Sequence, residues 1–93
     1  MGTVTVKFFA TVREVTGTKA IEIEANDIMD LLNLLTRKFG KRFAEEVIDP
    51  QSGGLKRFYS CMVNGKRIEL LDGYQTKLSD GDVLALFPPV GGG

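Results

Sequence analysis

The chain contains no histidine, no tryptophan and a single cysteine, Cys61, among 93 residues. Without histidine the usual near-neutral general base and the commonest metal ligand are both missing. One thiol can form neither an internal disulfide nor a cysteine-based zinc cluster. Most hydrolytic and metal-dependent schemes are excluded before any motif is considered. Excess charge is lacking as well: 12 Lys and Arg balance 12 Asp and Glu. No global field gathers nucleic acid or an anionic membrane, so direct polyanion binding is disfavoured. No charged-then-apolar leader opens the chain and no apolar run nears membrane-spanning length, so a cytoplasmic location without a membrane partner is expected. Prolines number three, and two of them, Pro88 and Pro89, are adjacent near the end.

What is present is strongly patterned. Residues 3 to 9 alternate, with Val4, Val6 and Phe8 on one side and Thr3, Thr5, Lys7 and Phe9 on the other, as in a half-buried strand. Residues 20 to 24 alternate again, Ile21 and Ile23 opposite Glu22 and Glu24. The intervening residues 10 to 17, with Arg13, Glu14, Thr16 and Gly17, read as a polar turn that would make a first hairpin. Asp27 is a good N-cap with Asp30 in capping-box position, and Ile28, Leu31, Leu32, Leu35 and Phe39 recur at helical spacing. A helix over residues 28 to 39 is predicted. Arg37 and Lys38 complement its dipole, Gly40 closes it, and Phe43 marks a further helical turn.

Residues 48 to 55, rich in Gly, Ser, Asp and Pro, form a loop. Residues 58 to 63 are β-prone, Asn64-Gly65 is the strongest hairpin signal in the chain, and residues 66 to 69 return as a short strand. Asp72-Gly73 makes another turn, Leu78 precedes the turn Ser79-Asp80-Gly81-Asp82, and residues 83 to 87 form the last strand. The order strand, strand, helix, strand, short strand, strand predicts one α+β domain over residues 1 to 87. It fits a ubiquitin-like β-grasp, a mixed sheet of four to five strands with one main helix across one face. In that arrangement the first and last strands lie parallel at the centre, and residues 88 to 93 are a tail leaving from a rigid element.

The tail carries the most specific chemistry. Pro88 and Pro89 fix φ and cannot donate to a ladder, so the last strand must leave the sheet there. Val90 follows, then Gly91, Gly92 and Gly93, a stretch thin enough to enter a narrow cleft. An α-carboxylate has a reference pKa of about 3.3 to 3.7, is ionised at neutral pH, and can attack an activated phosphate to give an acyl-adenylate. Gly93 would be the reactive residue and Gly92 would let the backbone lie flat. A frayed Gly-rich terminus is the plainer account of such an ending. The order of stiff spacer, thin chain and carboxylate favours presentation to another enzyme.

Val6-Lys7-Phe8-Phe9-Ala10 with Arg13 and Glu14, the capped Leu31-Leu32 helix, Val63-Asn64-Gly65-Lys66, Leu78-Ser79-Asp80-Gly81-Asp82 and Phe87-Pro88-Pro89-Val90 before the glycines resemble the MoaD family. That family comprises the small subunit of molybdopterin synthase and related small archaeal modifier proteins. The likeness runs nearly end to end; Gly91 stands where many relatives have Ala or Ser. It implies a sulfur carrier or protein modifier, not itself an enzyme and binding no cofactor. An E1-like enzyme would adenylate Gly93 with ATP and magnesium, and a sulfur donor would convert the product to a thiocarboxylate. Sulfur would then reach a pterin precursor in the large synthase subunit, or a transfer RNA. Transfer to a lysine of a target protein, forming an isopeptide bond, is the other outcome.

The remaining candidates are lesser. With Leu84 and Leu86 inward, alternation puts Val83, Ala85 and Phe87 on the open sheet face, where the resemblance also places a docking surface. Phe9 and Met62 would join that patch, with Arg13 and Lys66 as rim charges. Cys61, in phase with Tyr59 and Val63, reads as a small core residue rather than a nucleophile. Asp80 and Asp82 beside Gly81 read as turn formers rather than a metal pair. A plain binding module of the same fold, using the sheet face and indifferent to the tail, is the alternative function.

Overall fold

Alternation of Val4, Val6 and Phe8 with Thr3, Thr5 and Lys7 makes β1 (Gly2–Phe8) a strand with one buried face, and that strand lies inside a five-stranded sheet. The computed structural model describes residues 2–88. β2 (Ala20–Ala25) runs antiparallel along one side of β1, and β5 (Val83–Phe87) runs parallel along the other, Thr5 opposite Val83 and Phe8 opposite Leu86. β3 (Ser60–Val63) pairs antiparallel with β5, and β4 (Lys66–Arg67) closes the edge, giving the order β2-β1-β5-β3-β4. The expected parallel pairing of first and last strands is therefore observed.

The segment read as a polar turn, residues 10 to 17, is instead the helix α1 (Ala10–Thr16). Val12 and Val15, three apart, give it an inner side, Val12 fully buried and Val15 packed on the core. Gly17 ends it at φ 73°, its N–H donating to the Arg13 carbonyl at 2.8 Å. Arg13, Glu14 and Thr16, which suggested a turn, are the outer face of a helix only two turns long.

α2 (Ile28–Phe39) keeps its predicted bounds. The Asp27 Oδ1 accepts the Asp30 N–H at 2.8 Å, while Asp30 Oδ2 reaches one residue beyond the cap to accept the Asn26 N–H at 2.8 Å. Gly40, at φ 81° and ψ −156°, breaks the chain direction, and the further turn expected at Phe43 is a full short helix, α3 (Lys41–Val47), burying Phe43 and Val47. The rings of Phe8 and Phe39 meet edge to face at 5.6 Å, joining the end of β1 to the end of α2.

β3 begins at Ser60 rather than at residue 58 because Phe58 takes φ 74°, which no strand accommodates. Asn64 (φ 51°) and Gly65 (φ 84°) make the hairpin turn that their sequence demands. β4 stops after two residues because the chain turns Ile68 into the core through a 3₁₀ turn, Ile68–Leu70, and a second such turn covers Gly73–Gln75. Among the described residues no helix is long and apolar enough to cross a membrane.

Removing the cap in Asp27→Ala is expected to cost about 1 kcal/mol. Leu35→Ala, which empties a fully buried position, is expected to cost about 2 to 5 kcal/mol. Urea unfolding, with the slope unchanged in both variants, checks the two values.

Candidate functional site

The site is built where β1 and β5 end. Extending their parallel register one step past Phe8 and Leu86 brings Phe9 and Phe87 together, and their rings stack at 4.7 Å with 16° between planes. Phe9 is 40% exposed and Phe87 half-buried, so the pair forms an apolar step beside the point at which Pro88 leaves the sheet. Across the same open face runs the row Lys7, Ala85, Met62 and Arg67. Val83, 39% exposed, stands in the next row. Phe9, Phe87 and Met62 are thus gathered on one face, as alternation required.

The rim differs from expectation. Lys66 pairs with Val63, a core-facing residue, so it is Arg67 that stands opposite Met62 on the open face. Arg13 is exposed on α1, where it lines a shallow depression with Glu14, Gly17, Thr18 and Lys19 rather than with the aromatic pair. Pro89, Val90, Gly91, Gly92 and Gly93 lie outside the described residues.

Two features of this end were not read from the sequence. Ala10 at φ 51° and Phe58 at φ 74° hold left-handed backbone with no glycine, at a cost of about 1 to 3 kcal/mol each. Such residues cluster where a surface must be held in one shape for use. Phe58 is 69% exposed, carries the Arg57 guanidinium 4.9 Å over its ring, and lies two residues before Ser60, the partner of Phe87. Its parity with Ser60 and Met62 was the available signal.

Tyr59 braces both flanks. Its hydroxyl donates to Glu46 Oε2 on α3 and lies 3.5 Å from Thr11 Oγ1 on α1. Burial, and then the Glu46 carboxylate accepting its proton, push the phenol above its usual range.

Cys61 is fully buried, and desolvation, reinforced by Glu69, pushes its thiol up to about 12. At neutral pH it is a protonated core group with no nucleophilic character. Asp80 and Asp82 are turn formers. Asp80 Oδ1 accepts the Thr3 N–H at 2.8 Å, Asp82 Oδ2 accepts the Ser79 N–H at 2.9 Å, and Asp82 Oδ1 accepts from Asn64 Nδ2 at 2.9 Å. Among the described residues no three potential ligands gather as a metal site.

The described site is an exposed apolar step at the end of β1 and β5, with the one thiol of the chain buried away from it. The profile of the ThiS family matches residues 6–93. The chain belongs to the ThiS family. This ThiS-family chain is 37% identical over 90 residues to small archaeal modifier protein 3 of Haloferax volcanii, covering 94% of this chain and 95% of that one. It is 29% identical over 78 residues to sulfur carrier protein CysO of Mycobacterium tuberculosis, covering 83% of each. The solution structure of small archaeal modifier protein 1 from Methanosarcina acetivorans is similar with a TM-score of 0.84 at 31% identity, over 100% of this chain and 98% of that one. The ubiquitin-like β-grasp and the likeness to the small archaeal modifiers are borne out, and the ThiS-family chain is of the carrier and modifier kind.

Burial of Cys61 has a pH signature. Its folded pKa of about 12 exceeds the ordinary 9.0, so the unfolded chain ionises first as pH rises. Stability fully present below 9.0 is expected to fall progressively toward about 12. Urea midpoints across that window test this, with a shallower fall in Cys61→Ala. Thiol reagents at neutral pH should label the wild type only when the chain opens.

Proposed function

We propose that this chain carries an activated acyl group at Gly93. An E1-like enzyme uses ATP and magnesium to adenylate the carboxylate, releasing pyrophosphate, and a sulfur donor displaces AMP to leave a thiocarboxylate. The sulfur passes to a small-molecule or RNA acceptor, among them the pterin precursor held by a large molybdopterin synthase subunit. Attack by a lysine amine on the same activated carbonyl gives an isopeptide bond instead. Both outcomes share the first step, and the chain itself supplies no catalytic group. A cytoplasmic location accords with such ATP-dependent activation.

The observation that carries this reading is the parallel β1–β5 pair, which brings Phe87 and Pro88 to the end of the central strand of the sheet. Five residues follow Pro88, and an extended chain of that length reaches about 17 Å at most. That suffices to take a carboxylate from the rim into a partner's cleft while the domain stays outside. Pro88, Pro89, Val90 and Gly91 act as spacer, with Gly92 and Gly93 as the part that enters. Phe9, Phe87 and Met62 form the face on which the partner sits, with Arg67 at its edge. The names of its relatives, a sulfur carrier and small archaeal modifiers, accord with this assignment.

Incubation of the full chain with ATP, magnesium, a sulfide donor and its activating enzyme should raise the intact mass by the replacement of one oxygen by sulfur at Gly93. A mass unchanged in the presence of an enzyme shown to be competent would refute the assignment. Deleting Gly92 and Gly93 should abolish the change and leave the thermal melt where it was.

The aromatic step is tested separately. Phe9→Ala and Phe87→Ala each expose little new core and should cost about 1 to 2 kcal/mol of stability. Each should weaken binding to the activating enzyme about tenfold or more if the pair anchors the interface, measured by titration calorimetry.

A further inference from the structure

Charge is balanced over the chain but not over the molecule. At the end where β1 starts, Thr3 pairs with Glu24 and donates to Asp80, and the backbones of Asp27 and Lys77 meet in an isolated antiparallel β-bridge. Asp30 follows on the first turn of α2, Asp82 accepts from Asn64, and Asp72 lines a depression with Asp27 and Lys77. Against those six carboxylates stand Lys77 and, beyond the hairpin turn, Lys66.

The end from which the tail departs is the reverse. Contact between Phe39 and Phe8 brings the last turn of α2 there, with Arg37 and Lys38, and α3 starts beside it with Lys41 and Arg42. Lys56 donates to the Glu45 carbonyl, and Arg57 covers Phe58 just before the strand that pairs with Phe87. The carboxylates of this end are Glu14 beside Arg13, Glu45, which lies 3.9 Å from Lys41, Glu46, which holds the Tyr59 hydroxyl, and Asp49, in the loop beside Lys56. β1, seven residues long, separates the two ends by about 20 Å, more than two screening lengths of about 8 Å at physiological salt. The two ends therefore act on a partner as separate fields.

We propose that the basic end recognises an acidic rim around the cleft of the protein that receives the tail, and that the acidic far end, repelled by the same rim, orients the approach tail first. This rests on the carrier reading above. A compact protein rim touches one end only. A long polyanion would run on toward the six carboxylates and gains no pull from a net charge of zero. Phe9 and Phe87 are stacked on one another, with no open slot between them for a base. The contact is steering, so it acts on the rate of association more than on the lifetime of the complex.

The test uses the full chain with its activating enzyme. One variant carries Arg37→Gln, Lys38→Gln, Arg42→Gln and Arg57→Gln, all at exposed positions; a second carries Glu24→Gln and Asp72→Asn at the far end. Stopped-flow association is followed from low to high sodium chloride. The basic-end variant should associate about tenfold or more slowly at low salt and lose most of the salt dependence, while the far-end variant keeps the wild-type rate or exceeds it. Should the four-site variant fail to fold, the pairs Arg37→Gln with Lys38→Gln and Arg42→Gln with Arg57→Gln are each expected to slow association about threefold. Equal rates for all variants at every salt concentration overturn the inference while adenylation still proceeds. Retention of bulk transfer RNA that the basic-end substitutions abolish, with enzyme association unchanged, overturns it in favour of an RNA partner. A wild-type chain that a competent enzyme never adenylates removes the carrier reading itself, and this inference with it.

Discussion

The parallel ladder between β1 and β5 is the interaction on which the remaining structure depends. Parallel neighbours cannot be joined by a tight turn and require a long crossover, so everything from residue 10 to residue 82 is that crossover. α2 lies on the buried face because Val4, Val6 and Phe8 of β1 and Leu84 and Leu86 of β5 all point there. The opposite face is left to Phe9, Met62, Val83, Ala85 and Phe87. The same pairing sets Phe87 at the opposite end of the sheet from the start of β1. Fold and apolar face are therefore consequences of one register.

Around the departure point, local order is maintained against local cost. Asn64 has positive φ because a two-residue hairpin asks for it; Phe58 is the third residue of the turn closed by the Tyr59 N–H donating to the Lys56 carbonyl at 3.1 Å, and Ala10 lies in the turn closed by the Val12 N–H on the Phe9 carbonyl at the start of α1. The Tyr59 hydroxyl, shared between Glu46 and Thr11, ties α1 to α3 across the same region. Stacking of Phe9 on Phe87 completes the arrangement. An end of the domain that served only to cap the core would be under no pressure to expose a strained phenylalanine beside an arginine.

How much of this was legible in the sequence follows from the range of the interactions involved. Period-two alternation in β1, the Asp27 cap and the Asn64-Gly65 turn are local, and each was read correctly. The helix α1 was missed because two valines are too few to establish a helical period against four polar neighbours. Lys66 was set on the open face because a two-residue strand offers no alternation from which to read its register, which pairing alone decides. The polarity of the charge distribution was invisible for a related reason. Arg37 and Arg57 are twenty positions apart and reach the same end of the domain only when Phe39 packs on Phe8 and β3 pairs with β5.

The chain leaves β5 in the direction that strand runs, while the first residue of β1 lies at the opposite pole. Traction on whatever is attached beyond Pro88 would slide β5 lengthwise along β1, loading every hydrogen bond of the ladder together instead of peeling them one by one. A pull along β5 therefore meets the β1–β5 ladder at the centre of the sheet before any other pairing.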